Sequence, residues 1–275
     1  VSDPGRVGSG AALAADLAAP DAATRARALA ALARQVRLDG GAAIDHAVAR
    51  ALHVPLGSAD RSEQRRAADL VASLAAGAPP LLAALRDALG AAEARLRWGA
   101  AYALGSALPP TRELWPSARE TMRLDDGDQR WAAAELTCRI AQNEPEVVDD
   151  LRAALADPSP TLRKMVLYCL RDLRDPGAAA AARELLDDPD AGVRLAALAA
   201  LSVADGDAAA IAIRVAVVLA ADPDAGVRRA AAVTLGKLGT AAPEALAALR
   251  TAARADDASL ARAATSALRI LLPPG

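Results

Sequence analysis

The stretch Asp188-Pro189-Asp190-Ala191-Gly192-Val193-Arg194-Leu195-Ala196-Ala197-Leu198-Ala199-Ala200-Leu201 returns from Asp222 as DPDAGVRRAAAVTLGKLG, and in looser form from Asp157 as DPSPTLRKMVLYCL. Working outward, LRWGAAYALGSAL from Leu96, QRWAAAELTCRIA from Gln129 and TRARALAALARQ from Thr24 follow the same plan. LARAATSALRIL from Leu260 closes the series with Ala261 where the others carry arginine. The arginines that mark the register are Arg25, Arg65, Arg97, Arg130, Arg163, Arg194 and Arg228. From Arg65 onward they recur roughly every 31 to 34 residues, the period of a helical repeat array.

Each copy carries apolar residues at helical spacing, so each is a helix. Asp157, Asp188 and Asp222 stand before prolines, and the pattern predicts that each aspartate caps the following helix with proline in its first turn. Shorter amphipathic stretches, Pro145 to Ala156, Gly177 to Leu186 and Pro243 to Ala255, supply the partner helices. The expected architecture is all-α: about eight helix pairs forming one array over residues 11–275, the first two degenerate and the last a cap. Residues 1–10, with the glycines of GRVGSG, read as a flexible tail.

More than a quarter of the chain is alanine, aromatic residues make up 2% and phenylalanine is absent. That excludes a β-sandwich or barrel, which needs β-branched and aromatic residues. It also gives alanine a task, because small side chains let helix axes approach to about 8 Å. With 32 basic and 34 acidic residues the net charge is −2, without the strongly basic footprint of a general nucleic-acid binder. Cys138 and Cys169 make neither a disulfide framework nor a metal site by themselves. His46 and His53, seven apart, share a helical face but lack a third ligand. No nucleophile motif is present, and apolar runs such as Val215–Ala221 are too short to span a membrane. The expectation is a cytoplasmic protein without catalytic residues, metal or cofactor.

The order Asp-Pro, three residues, then Val-Arg-x-x-Ala-x-x-x-Leu resembles the HEAT repeat, in a subclass common in bacteria and related to phycobilin-lyase-type repeats. The resemblance covers nearly the whole chain and is strongest from Leu96 to Leu272. It implies an α-solenoid coiled as a right-handed superhelix, second helices lining its concave side, and use as a binding scaffold. It also implies a structural ladder between neighbouring repeats, made of Arg97, Arg130, Arg163, Asp190, Arg194, Asp224 and Arg228.

At about 100° per residue, two positions of each second helix point away from its buried face. They are Trp98 and Tyr102, Trp131 and Glu135, and Lys164 and Tyr168 in repeats three to five. Leu195 and Ala199, Arg229 and Val233, and Arg262 and Ser266 follow. Four of the five Trp and Tyr residues thus fall on three consecutive repeats. Either a partner covers them or the fold buries them itself. The first alternative makes Trp98, Tyr102, Trp131, Glu135, Lys164 and Tyr168 a patch for a protein or peptide, with Glu135 accepting hydrogen bonds and Lys164 pairing with an acid or stacking on Trp131. A second reading starts from TLRKMVLYCLRDL at Thr161, which resembles a segment of the HEAT-like alkylpurine DNA glycosylases. There Tyr168, Trp98 and Trp131 would hold a damaged base and Glu135 would be the nearest carboxylate. The aromatic-rich first-helix motif with its essential aspartate has no counterpart here, and net charge disfavours nucleic acid.

Overall fold

The computed structural model describes residues 4–39, 44–75, 77–203 and 207–272, and every regular element among them is a helix. The helices run in pairs. The first pair is α1 (Pro4–Leu17) with α2 (Ala22–Asp39), and the second is α3 (His46–Ala51) and α4 (His53–Leu56) with α5 (Arg61–Ala75). Next come α6 (Pro79–Leu89) with α7 (Ala94–Ala107), α8 (Trp115–Thr121) with α9 (Gly127–Asn143), and α10 (Val147–Ala154) with α11 (Pro160–Asp172). The last three are α12 (Ala178–Glu184) with α13 (Ala191–Leu201), α14 (Ala208–Ala221) with α15 (Ala225–Leu238), and α16 (Pro243–Ala252) with α17 (Ala258–Leu271). The segment read as a tail is helical from Pro4. Leu17 of α1 is fully buried and α1 packs on α3, so a helix anchored at its C-terminal end propagates back through weak formers.

Two compact units are present: Val1–Leu124 with Glu135–Pro145, and Asp125–Ala134 with Glu146–Gly275. The first half of α9 belongs to the second unit and its remainder to the first. In the first unit α5 packs on α2 and α7 on α5; in the second, α13 packs on α11, α15 on α13 and α17 on α15. Alanine fills these contacts: Ala196, Ala197, Ala231, Ala232 and Ala264 are wholly buried. Where even alanine is too large, glycine stands. A Cβ on Gly99 would collide with the carbonyl oxygen of Leu56, and one on Gly236 would lie 3.2 Å from the Cα of Ala267.

The helix starts differ from the sequence expectation. The N-caps are Ser159, Asp190 and Asp224, two residues after each Asp-Pro aspartate, and their side chains accept from the N–H groups of Leu162, Val193 and Val227. Pro158, Pro189 and Pro223 therefore precede the caps, and of these three helices α11 alone has a proline, Pro160, in its first turn. Asp157, Asp188 and Asp222 instead accept from the N–H two residues ahead, which closes the turn leading into the cap. A cap accepts from the N–H three residues on; from Asp157 that residue is Pro160, which has none, and from Asp188 and Asp222 it is Ala191 and Ala225, the very first residues of α13 and α15.

Candidate partner-binding face

Four aromatic side chains on the outward register resolve into two pairs. Trp98 lies 5.8 Å from Tyr102, centroid to centroid, with the rings tilted by 52°. Trp131 lies 5.4 Å from Tyr168 with the rings stacked at 18°. The two tryptophans differ in exposure: Trp98 is 7% exposed and Trp131 is 51% exposed. Trp98 is thus removed from the expected patch. It stands on a helix where Gly99, Ala100, Ala101, Ala103 and Leu104 are also buried, and small neighbours leave room for an indole to lie down against its own helix and Tyr102. Trp131 keeps one side in solvent.

Tyr168 also carries a cation that the sequence reading did not name. The guanidinium of Arg171 lies 5.0 Å from the phenol centroid, while the stem of Lys164 runs past Gly192 of the next repeat. Glu135 is exposed one helical turn beyond Trp131. Trp131, Tyr168 and Arg171 form a connected polar–aromatic cluster in the second unit.

Arg171 also borders a groove of about 1300 Å³ on the face formed by α11, α13 and α15. Its floor is apolar: Leu195, Ala199, Ala230 and Val233 line it, and Leu195 and Val233 are exposed. Its charged border holds Arg171, Arg174, Arg229 and Lys237 against Asp172 and Asp175, among the described residues. Asp172 accepts from Arg171, and Asp175 is engaged by Arg152 from outside the groove. Arg174 has φ of 52°, in the left-handed region where glycine is the usual occupant. It follows the last turn of α11, where the Asp175 N–H reaches back to the Leu170 carbonyl.

The register arginines share one geometry. Nη1 of Arg25 donates to the carbonyls of Ala19 and Pro20, and Arg97 to those of Ala91 and Ala92. Arg163 reaches Asp157 and Pro158, Arg194 reaches Asp188 and Pro189, and Arg228 reaches Asp222 and Pro223. The other guanidinium edge then grips a carboxylate of the next repeat: Arg25 holds Glu63, Arg97 holds Glu120, Arg163 holds Asp188 and Arg194 holds Asp222. Arg130 occupies the corresponding first turn of α9, half-buried. The acidic members of the ladder are therefore Glu63, Glu120, Asp188 and Asp222. Asp190 and Asp224, expected there, are occupied with their caps. At the Arg65 position the marker is exposed, and its neighbour Gln64 turns inward to donate to the carbonyls of Leu56 and Arg95.

These bonds shift the carboxylates. Burial pushes Asp188 up, but the hydrogen bonds from Arg163 and the Asp190 N–H, with the charges of Arg163 and Arg194, outweigh it and hold the group below the usual carboxylate range. Glu63 is lowered chiefly by the Arg25 hydrogen bonds. Arg163 and Arg194 are raised chiefly by their hydrogen bonds to Asp188 and Asp222.

A repeated helix pair clamped to its neighbour by an arginine–carboxylate link agrees with the family comparison. A model described as HEAT repeats matches residues 117–202 and 205–269, more than half of the chain. The chain belongs to the HEAT-repeat family. Among solved structures it is similar to YibA of Escherichia coli, with TM-score 0.55 and 20% identity over 96% of this chain and 92% of that one. It is also similar to Kap95p, with TM-score 0.62 and 14% identity over 98% of this chain and 41% of that one. The karyopherin Kap121p gives TM-score 0.59 and 13% identity over 95% and 33%. None of the curated proteins matches the sequence.

Within this HEAT framework other candidate residues are structural. His46 and His53 do not share a helix, because α3 ends at Ala51 and His53 opens α4. The Nε2 of His53 bonds the carbonyl of Ala84, while His46 is exposed. Among the described residues no group of three or more His, Cys, Asp or Glu side chains is placed to hold a metal. Cys169 is buried and its thiol points at the Ala134 carbonyl, linking two second helices; Cys138 is half-buried. No helix among the described residues is long and apolar enough to cross a membrane. The residues that sequence reading missed are Arg171, Arg174 and Lys237. Lys237 was legible: it continues Arg229 and Val233 by one more turn on the same face. Arg174 was not, because nothing local marks a non-glycine residue for a left-handed turn.

Proposed function

We propose that this HEAT-repeat chain is a non-catalytic scaffold that binds a protein or peptide segment on the second-helix face of its second unit, in a reducing cytoplasmic compartment. The observation that carries the reading is Trp131, half in solvent yet fixed by stacking on Tyr168. A large ring held exposed and rigid contributes contact area with little further loss of side-chain entropy, which makes it an anchor for association. Tyr168 and Arg171 extend that anchor to the groove, and Lys164 stands on the same register one turn before Tyr168. Trp98 and Tyr102 support the first unit. The same fold carries such a task elsewhere: Kap121p is bound to the extreme C-terminus of the phosphatase Cdc14p.

The chain carries its own reporter. Trp98 and Trp115 are each 7% exposed, so the long-wavelength tryptophan emission and its quenching by acrylamide come from Trp131. Peptides selected from a random display library on the folded protein are expected to protect that emission, and Trp131→Ala is expected to weaken their binding at least tenfold. Selected peptides that bind Trp131→Ala and Tyr168→Ala as tightly as the unmodified chain would overturn the site. Excision of alkylated bases from DNA, lost on Glu135→Gln, would overturn the non-catalytic reading.

A further inference from the structure

We propose that the groove beside the aromatic anchor takes an extended acidic peptide with an apolar side chain set between two carboxylates. This rests on the binding reading above and specifies the partner. On α15, Arg229, Val233 and Lys237 follow one another at four-residue spacing, so cation, apolar side chain and cation lie in one line along one face. The two cations are about 12 Å apart along the axis at 1.5 Å per residue. An extended chain covers that distance in about four residues at 3.3 Å each. Acid, apolar residue and acid at every second position therefore match cation, valine and cation. Leu195 and Ala199 of α13 continue the apolar floor, and Arg171 and Arg174 supply cations at its far edge.

The charge balance favours an acidic occupant. Four cations border the groove against two carboxylates among the described residues; Asp172 pairs with Arg171 of the groove itself and Asp175 with Arg152 from outside, so the excess of positive charge rests on Arg174, Arg229 and Lys237. Near Arg229 stands Asp257, which caps α17 by accepting from the N–H groups of Ser259 and Leu260 and offsets part of the Arg229 charge; Arg229 itself reaches the Ser259 hydroxyl at 3.4 Å. The apolar floor favours a peptide over a nucleic acid, whose bases need stacking platforms along the whole track.

Arg174 allows a test that spares the fold. Glycine suits a left-handed turn better than arginine, so Arg174→Gly is expected to leave the chain at least as stable while removing one groove cation. The experiment is a selection of random twelve-residue peptides on the full chain, followed by fluorescence polarisation with the enriched peptides and their Glu/Asp→Lys versions. Enriched peptides are expected to carry two acids around an apolar residue. Their binding is expected to fall severalfold in Arg174→Gly and at least tenfold in Arg229→Glu/Lys237→Glu, and that double variant is expected to bind the lysine peptides instead. Recovery of binding by reversed charge separates contact from mere loss of folding. Peptides without acids that need Trp131 but ignore Arg229 and Lys237 would overturn this inference and leave the binding reading standing. Peptides indifferent to both sets would overturn both. Equal binding of a single-stranded oligonucleotide or heparin, weakened by the same substitutions, would overturn the peptide in favour of a general polyanion.

Discussion

In the first unit Arg25 and Arg97 find their carboxylates on helices, Glu63 near the start of α5 and Glu120 near the end of α8. In the second unit Arg163 and Arg194 find theirs on Asp188 and Asp222, in the turns that open α13 and α15. The turn position fixes the carboxylate in advance, through an N–H two residues on and the neighbouring proline. The Arg194–Asp222 side chains are 9% and 5% exposed, against 22% and 40% for Arg97–Glu120. Glu63 reaches comparable burial only with help from the Ser58 hydroxyl. The link is common to both units; the preorganisation of its acid differs.

The largest effects should come from breaking the buried links. Asp222→Ala leaves the Arg194 guanidinium buried without its acid, and loss of one partner of a buried pair costs about 3–5 kcal/mol. Glu120→Ala exposes Arg97 to water that is already close, so the expected cost is about 1 kcal/mol or less. Urea unfolding of the two variants followed by circular dichroism measures the difference. Equal costs would mean that turn placement adds nothing to the link.

The tryptophans extend the same contrast to one register position. Trp98→Ala empties a buried site and should cost about 3–5 kcal/mol, whereas Trp131→Ala removes a half-exposed ring and should cost about 1 kcal/mol. Emission spectra of the two variants check the premise: the first loses a buried component, the second the exposed one. Next in size is Gly99→Ala, where the new methyl meets the Leu56 carbonyl oxygen; overpacking of this kind costs about 1–3 kcal/mol. Ala132→Gly, at the matching position of α9, should cost only the helix-propensity difference, about 1 kcal/mol.

How much of this was legible follows from where each device is written. The helix pairs were, because Asp-Pro turns and Val-Arg-x-x-Ala spacing are local and repeated. The ladder arginines were legible too, but not which aspartate each one meets, since Asp188 and Asp190 differ only in which N–H lies within reach. The outward register held for Trp131, Glu135, Leu195, Arg229 and Val233. It failed for Trp98, because a helical wheel treats an indole as a direction and not as a volume that can pack against Tyr102. The Arg171–Tyr168 contact and the left-handed Arg174 depend on how one helix ends, and apolar periodicity is blind to that.

Acid titration gives the smallest and most graded test of the two links. Glu63 and Asp188 both have pKa values lowered by folding, so each binds its proton more readily in the unfolded chain. Their stabilisation is complete above the unfolded carboxylate pKa, about 4, and is lost as pH falls through the lower folded value. Stability should therefore be flat from neutrality to about pH 5 and decline below it, each group contributing a slope of at most about 1.4 kcal/mol per pH unit. Glu63→Gln should shallow the acid limb of the first unit and Asp188→Asn that of the second, which hydrogen exchange resolves by position. An unchanged slope in Asp188→Asn would mean that the hydrogen bonds of Arg163 and Asp190 do no more than offset the burial that opposes them.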